Sequence, residues 1–240
     1  MRLDKLIEEA LHTSRKEMKR LFLSGQVTID GTKERHQNRN VDSQIHKIMV
    51  GNQQLFTDEV YYLLDKPAGV VTANSDLNHQ TVFDCLKKAD RYPDLYAVGR
   101  LDRDTSGFLL LTNNGPLGYD LLHPEKKVAK VYEACINEIV TETDITKFRD
   151  GIIFLDGTQC KPANLEILQI DTKNQRSYIR LTIWEGKFHQ VKKMFLACGK
   201  KVLTLRRLAM GPLYLPENSQ PGDYFPLTKA QLTLLKPYFR

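Results

Sequence analysis

A chain of 240 residues exceeds a typical single domain, and with 41% hydrophobic and 27% charged residues it has an ordinary globular composition. No apolar run approaches the roughly 18 to 20 residues of a membrane span, and Asp4, Glu8 and Glu9 interrupt the first helix-like stretch, which argues against a secretory leader and predicts a cytoplasmic protein without membrane contact. A net charge of +6 suits an anionic partner, while Cys85, Cys135, Cys160 and Cys198 stand singly, with no CxxC pair and no histidines at zinc spacing, so neither a disulfide nor a metal site is expected.

Leu3, Leu6, Ile7, Ala10 and Leu11 recur at helical spacing. Ser14 followed by Glu17 makes a capping box that opens a second helix running to Gly25. On that helix Arg15 and Lys19 share a face, Lys16 and Arg20 lie beside them, and Met18, Leu21 and Phe22 supply the apolar side. Short strands follow at 27–29, through an Asp30-Gly31 hairpin turn, and at 45–50 before a turn at Gly51-Asn52. The polar stretch 56–59 reads as a linker, dividing the chain into a small module, 1–59, and a larger domain, 60–240.

In the larger domain a strand at 60–64 enters the turn Asp65-Lys66-Pro67-Ala68-Gly69, and 70–73 leaves it as a second strand. Residues 81–88 read as helical. Strands are expected at 108–112, 128–136, 165–170, 177–183 and 201–207, with helices near 116–122, 143–150 and 189–198 and a capped helix at 228–235. Strands outnumber helices and do not alternate regularly with them, so the fold class is α+β, a mixed and mostly antiparallel sheet flanked by helices.

Three constellations could carry chemistry. In Val98-Gly99-Arg100-Leu101-Asp102-Arg103-Asp104-Thr105-Ser106-Gly107 a carboxylate lies between two arginines, where glycines let the backbone change direction. Asp102 is then a candidate nucleophile or base, or a turn carboxylate; Asp104 reads as a turn residue with Thr105, although paired carboxylates also serve glycosidases. In the second, a strand ends at Glu185-Gly186 and a helix begins, so that His189 and Lys192 lie about one turn apart and Lys192 can reach a buried carboxylate. His189, without a second ligand, reads as a hydrogen-bonded structural residue. From Lys187 to Arg207 seven basic residues occur and no acidic one, a field suited to a phosphate backbone. The third is Lys130-Val131-Tyr132, where Tyr132 is either a core tyrosine or one that stacks on a base or accepts a proton. Lys66 is a candidate phosphate ligand or simply part of a good turn. There is no GxxxxGK[ST], GxGxxG, HExxH or GxSxG.

Taken in order, Leu64-Asp65-Lys66-Pro67-Ala68-Gly69, Gly99-Arg100-Leu101-Asp102, Lys130-Val131-Tyr132 and Glu185-Gly186-Lys187-Phe188-His189-Gln190-Val191-Lys192-Lys193-Met194 resemble the successive motifs of pseudouridine synthases, most closely the RsuA type acting on small-subunit ribosomal RNA. The opening helices with Ser24-Gly25-Gln26-Val27-Thr28-Ile29-Asp30-Gly31 resemble the S4 RNA-binding module. The resemblance implies that Asp102 is the nucleophile on a flipped-out uridine, that Lys192 is its basic partner, and that Tyr132 stacks on the base and helps remove the C5 proton. It implies substrate contacts for Arg100, Lys187, His189, Gln190 and Lys66; Lys187 stands where the family often has arginine. It implies RNA contacts for Arg2, Lys5, Arg15, Lys16, Lys19, Arg20 and Lys193, no cofactor and no metal, and small-subunit ribosomal RNA or an assembly intermediate as the partner; a monomer is expected, although no motif states the oligomeric state. Three other readings stay open: a synthase for large-subunit ribosomal RNA, a non-catalytic RNA-binding assembly factor, and a glycosidase using Asp102 with Asp104.

Overall fold

The computed structural model describes residues 1–239. The first 55 residues gather around an apolar cluster of their own. α1 (Leu3–Leu11) and α2 (Arg15–Leu23) bury Leu3, Leu6, Ile7, Met18 and Phe22 against four short antiparallel strands, β1 (Val27–Ile29), β2 (Thr32–Lys33), β3 (Ile48–Val50) and β4 (Gln53–Leu55), in the order β2-β1-β3-β4. The capping box forms, with the Ser14 N–H donating to Glu17 at 2.8 Å and the Glu17 N–H to Ser14 Oγ at 3.3 Å. Asp30 and Gly31 both take positive φ, 53° and 81°, the twist that a two-residue hairpin between right-handed strands needs. The strand expected at 45–50 is shorter, because Asp42 organises the preceding residues into a turn, accepting from the Gln44 N–H at 2.7 Å.

The remainder is built on a nine-stranded sheet. Its strands are β5 (Tyr61–Lys66), β6 (Tyr96–Ala97), β7 (Ser106–Thr112), β8 (Lys130–Ile136), β9 (Asn164–Asp171), β10 (Arg176–Ile183), β11 (Val202–Met210), β12 (Leu213–Tyr214) and β13 (Tyr224–Pro226). The order is β13-β5-β7-β11-β8-β10-β9, with β6 on β7 and β12 on β11; every pairing is antiparallel except β7 with β11. Helices α3 (Gly115–Leu122), α4 (Glu142–Asp150), α5 (Gln190–Ala197) and α6 (Lys229–Leu234) flank it. Phe108 and Leu110 join one apolar cluster with Tyr61 and Leu63, while Leu109 and Leu111 join another with Tyr62 and Leu64. Both faces of β5 and β7 are therefore covered, which is why these strands read as unbroken apolar runs.

Two expectations fail on the connection between β5 and β6. Residues 81–88 are not one helix but 3-10 turns at Val82–Cys85 and Lys88–Asp90, because a capping box from Thr81 to Asp84 closes the first and Leu86 returns to extended backbone. Residues 70–73 form no strand; only Val71 makes an isolated bridge, to Thr81. Strands β6, β12 and β13 escaped notice since two or three residues carry no period.

One glycine decides how the central strands meet. Gly107, at φ 102°, pairs with Arg207, and a Cβ there would sit 2.1 Å from the Arg207 carbonyl oxygen. Any side chain would drive β7 and β11 apart. The small unit is docked on the large sheet: the Tyr61 hydroxyl donates to Asp42 at 2.6 Å, Asn114 donates to that hydroxyl at 2.9 Å, and Lys236 meets Asp30 at 3.0 Å.

Candidate active site

The loop between β6 and β7 carries Asp102, and the fold grips it from below. Leu101 is buried, and both its N–H and its carbonyl bond the Thr72 hydroxyl, at 3.2 and 2.9 Å. The Gly69 N–H donates to the Arg103 carbonyl at 2.7 Å, and the Thr105 N–H to the Asp102 carbonyl at 3.1 Å. Lys66 completes the clamp: its ammonium donates to the carbonyls of Pro67, Arg103 and Thr105 at 3.0, 3.3 and 2.8 Å. This corrects the expected substrate contact, since Lys66 is 0% exposed and all three of its protons are engaged. Burial lowers its pKa to about 8.

From above, α5 closes on the same loop. His189 takes a left-handed φ of 52°, which turns the chain out of the 185–189 bend and into the helix. Lys192, one turn on, lies 2.9 Å from Asp102 Oδ2 and 2.6 Å from Asp104 Oδ1, and His189 Nε2 lies 3.4 Å from Asp102 Oδ1. Burial alone would depress the Lys192 ammonium, but hydrogen bonds to Asp104 and Asp102 outweigh it and raise the pKa. Asp104, expected to serve only as a turn residue, is a second anion on the same lysine, and that bond holds its carboxyl below the usual range. Gln190 is 4% exposed and lines the cavity at Asp102, while its amide braces the bend: Oε1 accepts from the Lys187 N–H at 2.9 Å and Nε2 donates to Glu185 at 2.7 Å.

Beneath Asp102 lies a cavity of about 150 Å³, lined by Asp102, Tyr132 and Lys192 together with Thr105, Lys130, Ile183, Leu205 and Arg207. It opens into a cleft of about 980 Å³, within the range of small-ligand sites, where exposed Arg100 and Lys187 stand at the rim with Phe188. The fold thus brings together Asp102, Tyr132 and Lys192 from three separate segments. Lys193 faces away from them, 3.3 Å from Asp156 and over the rings of Phe154 and Phe188. In the small unit Arg2 pairs with Asp4 at 2.7 Å and Lys5 with Glu8 at 2.7 Å, whereas Arg15, Lys16, Lys19 and Arg20 are exposed and, among the described residues, have no carboxylate within 4.0 Å. No group of three or more metal-ligating side chains occurs among the described residues.

The sequence pattern of the RNA pseudouridylate synthase family matches residues 60–197, over half of the chain. The chain belongs to this family. The synthase is 40% identical over 236 residues to an RNA pseudouridine synthase of Bacillus subtilis, YtzG, itself uncharacterized, with 98% of each chain covered. It is 33% identical to the ribosomal small subunit pseudouridine synthase A of Yersinia pestis, with 97% of each chain covered. A crystal structure of a pseudouridylate synthase superimposes with a TM-score of 0.67 at 32% identity, covering 98% of this chain and 99% of that one. Membership makes the synthase an isomerase and sets aside the glycosidase and the non-catalytic assembly factor. Three residues of the site were missed in the sequence. Lys130 could have been found, since it shares a face with Tyr132; Arg207 and Thr72 could not, because only the pairing of distant strands and turns brings them here.

Proposed function

We propose that the synthase isomerises one uridine of small-subunit ribosomal RNA, with Asp102 as the attacking group. The observation that carries this is the carboxylate of Asp102 in the wall of a small cavity that opens into the cleft, 2.9 Å from the Lys192 ammonium and with Tyr132 beside it in the lining. A uridine stacked in RNA cannot reach such a place, so the base is extruded into the cavity. There Asp102 opens the N1–C1′ bond, the ring turns, and C5 joins C1′ while its hydrogen leaves. Lys192 supplies the positive charge that a carboxylate needs once RNA has displaced the water. Arg100 and Lys187 at the rim meet the backbone phosphates, and the exposed cations of α2 extend that contact in the manner of an S4 module. The small-subunit target is favoured by relatives of that name that align over almost the whole chain. The synthase acts as a cytoplasmic monomer.

Tritium release from RNA carrying [5-³H]uridine tests the chemistry. Wild type releases tritium, and Asp102→Asn loses roughly a thousandfold or more in rate while staying folded. Release unaffected by the substitution would remove Asp102 from its role. Mapping pseudouridine in both ribosomal RNAs of a deletion strain tests the target, and a site lost from the large subunit instead would reassign it.

A further inference from the structure

Three polar groups lining the small cavity are left short of hydrogen-bond partners among the described residues. Lys130 and Tyr132 project from the same side of β8, and Arg207 of β11 sits opposite Tyr132 across the ladder. Lys130 is 8% exposed and Arg207 2%. Arg207 Nε donates to the Phe108 carbonyl at 2.8 Å, yet its Nη2 has no hydrogen-bond partner among the described residues. The Lys130 ammonium, with three protons to donate, makes a long bond of 3.3 Å to the Val128 carbonyl. The buried Thr105 hydroxyl is likewise unpartnered. Glu185 is the carboxylate that acts on Lys130 from nearby, but its Oε1 already accepts from Gln190 at 2.7 Å and from the Lys161 N–H at 3.0 Å. Buried cations held without counter-ions are costly, and they persist where a ligand completes them.

We infer that Lys130 and Arg207, with the Thr105 hydroxyl beside them, form an oxyanion pocket that receives the carbonyl oxygens of the uracil ring and takes up its negative charge while the ring is detached. The inference rests on the isomerase reading. When Asp102 gives an electron pair to C1′, the C1′–N1 bond breaks and its pair stays on the ring, a monoanion delocalised over N1, O2 and O4. After the ring turns, C5 gives a pair to C1′ and Asp102 departs as carboxylate; C5 then loses its proton and N1 gains one, so product and substrate have the same atoms. Addition of Asp102 to C6 would drive the same charge onto O4, so either route calls for donors here. A backbone phosphate is the poorer fit, because Lys130 and Arg207 are buried in the cavity wall, whereas Arg100 and Lys187, which line the same cavity, are exposed and within reach of the RNA backbone.

Single-turnover rates and RNA dissociation constants of Lys130→Met and Lys130→Arg test the pocket, read on uridine RNA and on the same RNA with 5-fluorouridine at the target. Fluorine stabilises the uracil anion, so a ring that carries its own charge needs the pocket less. Lys130→Met is expected to slow uridine isomerisation by about a hundredfold with RNA affinity within about twofold, and to slow consumption of 5-fluorouridine by less than about tenfold. Lys130→Arg recovers most of the uridine rate. Lys130→Gln carries the same comparison if methionine unfolds the sheet. Equal losses on the two substrates, an unchanged uridine rate, or a loss matched by weaker RNA binding would each overturn the pocket, the last in favour of a phosphate contact. A wild-type enzyme that released no tritium would instead sink the isomerase reading.

Discussion

Two lysines approach the Asp102 loop from opposite sides, and the fold treats them in opposite ways. Lys66, below, is wholly enclosed, donates to three backbone carbonyls, and has its pKa pulled down to about 8 by burial. Lys192, above, is partly open to the cleft, bonds two carboxylates, and has its pKa raised in spite of its own burial. An ammonium among carbonyls shapes a backbone; an ammonium among carboxylates sets charge where substrate arrives. The same residue type thus serves architecture on one side of the loop and chemistry on the other, and only burial and partner distinguish them.

The largest effect expected from separating the two roles is on Lys192. Lys192→Met should cut the single-turnover rate by about a hundredfold or more while the melting temperature moves little, since partly exposed ion pairs contribute little to stability. A full-rate variant would show that the upper contact is not chemical. Lys66→Met should do the reverse. Leaving three carbonyls without their donor is expected to cost about 2 kcal/mol, a fall of roughly 4–8 °C by calorimetry, with a rate loss of only about tenfold as the loop loosens and RNA affinity unchanged. A Lys66→Met protein as stable as wild type would mean the clamp is incidental.

Stability against pH sharpens the contrast. Lys66 titrates near 8 when folded and at its ordinary 10.5 when unfolded, so between those values the unfolded chain holds more protons and stability rises with pH, by at most about 1.4 kcal/mol per unit. Lys130, also lowered to about 8, adds to the same trend. Lys192, raised when folded, contributes with the opposite sign: its share is complete below 10.5 and is lost as pH climbs through the folded value. Urea midpoints from pH 8 to 10 should rise less steeply in Lys66→Met than in wild type, and parallel curves would contradict the buried ammonium. The smallest effect is expected far from the loop. Lys16→Ala with Lys19→Ala should lower the slope of log affinity against log salt by about one per lysine and leave the bound-state rate untouched, as filter binding and single-turnover assays would show.

Much of the site was legible because its parts are local. The run of glycines and charges around Asp102, the bend before Lys192 and the Ser14–Glu17 box each declare a turn or a helix start within a few residues, and the long apolar strands declared themselves by having no polar face. Lys66 misled because its side chain points inward to three backbone carbonyls, and nothing in Asp65-Lys66-Pro67 states which way a side chain faces. The short strands β6, β12 and β13 and the broken turns of 81–90 exist through their neighbours rather than through any pattern of their own.

By itself the order of residues determined the types of the longer elements, the acidic residue in the loop before β7 and the lysine able to meet it, since capping, periodicity and turn chemistry act over a handful of positions. The tertiary structure alone decided that β11 lies parallel to β7 at Gly107, that Arg207 arrives beside Tyr132, and that one lysine is sealed in while another stays at the cleft. Those outcomes depend on contacts between segments as much as a hundred residues apart, where burial and partner, not sequence neighbours, fix what a charge can do.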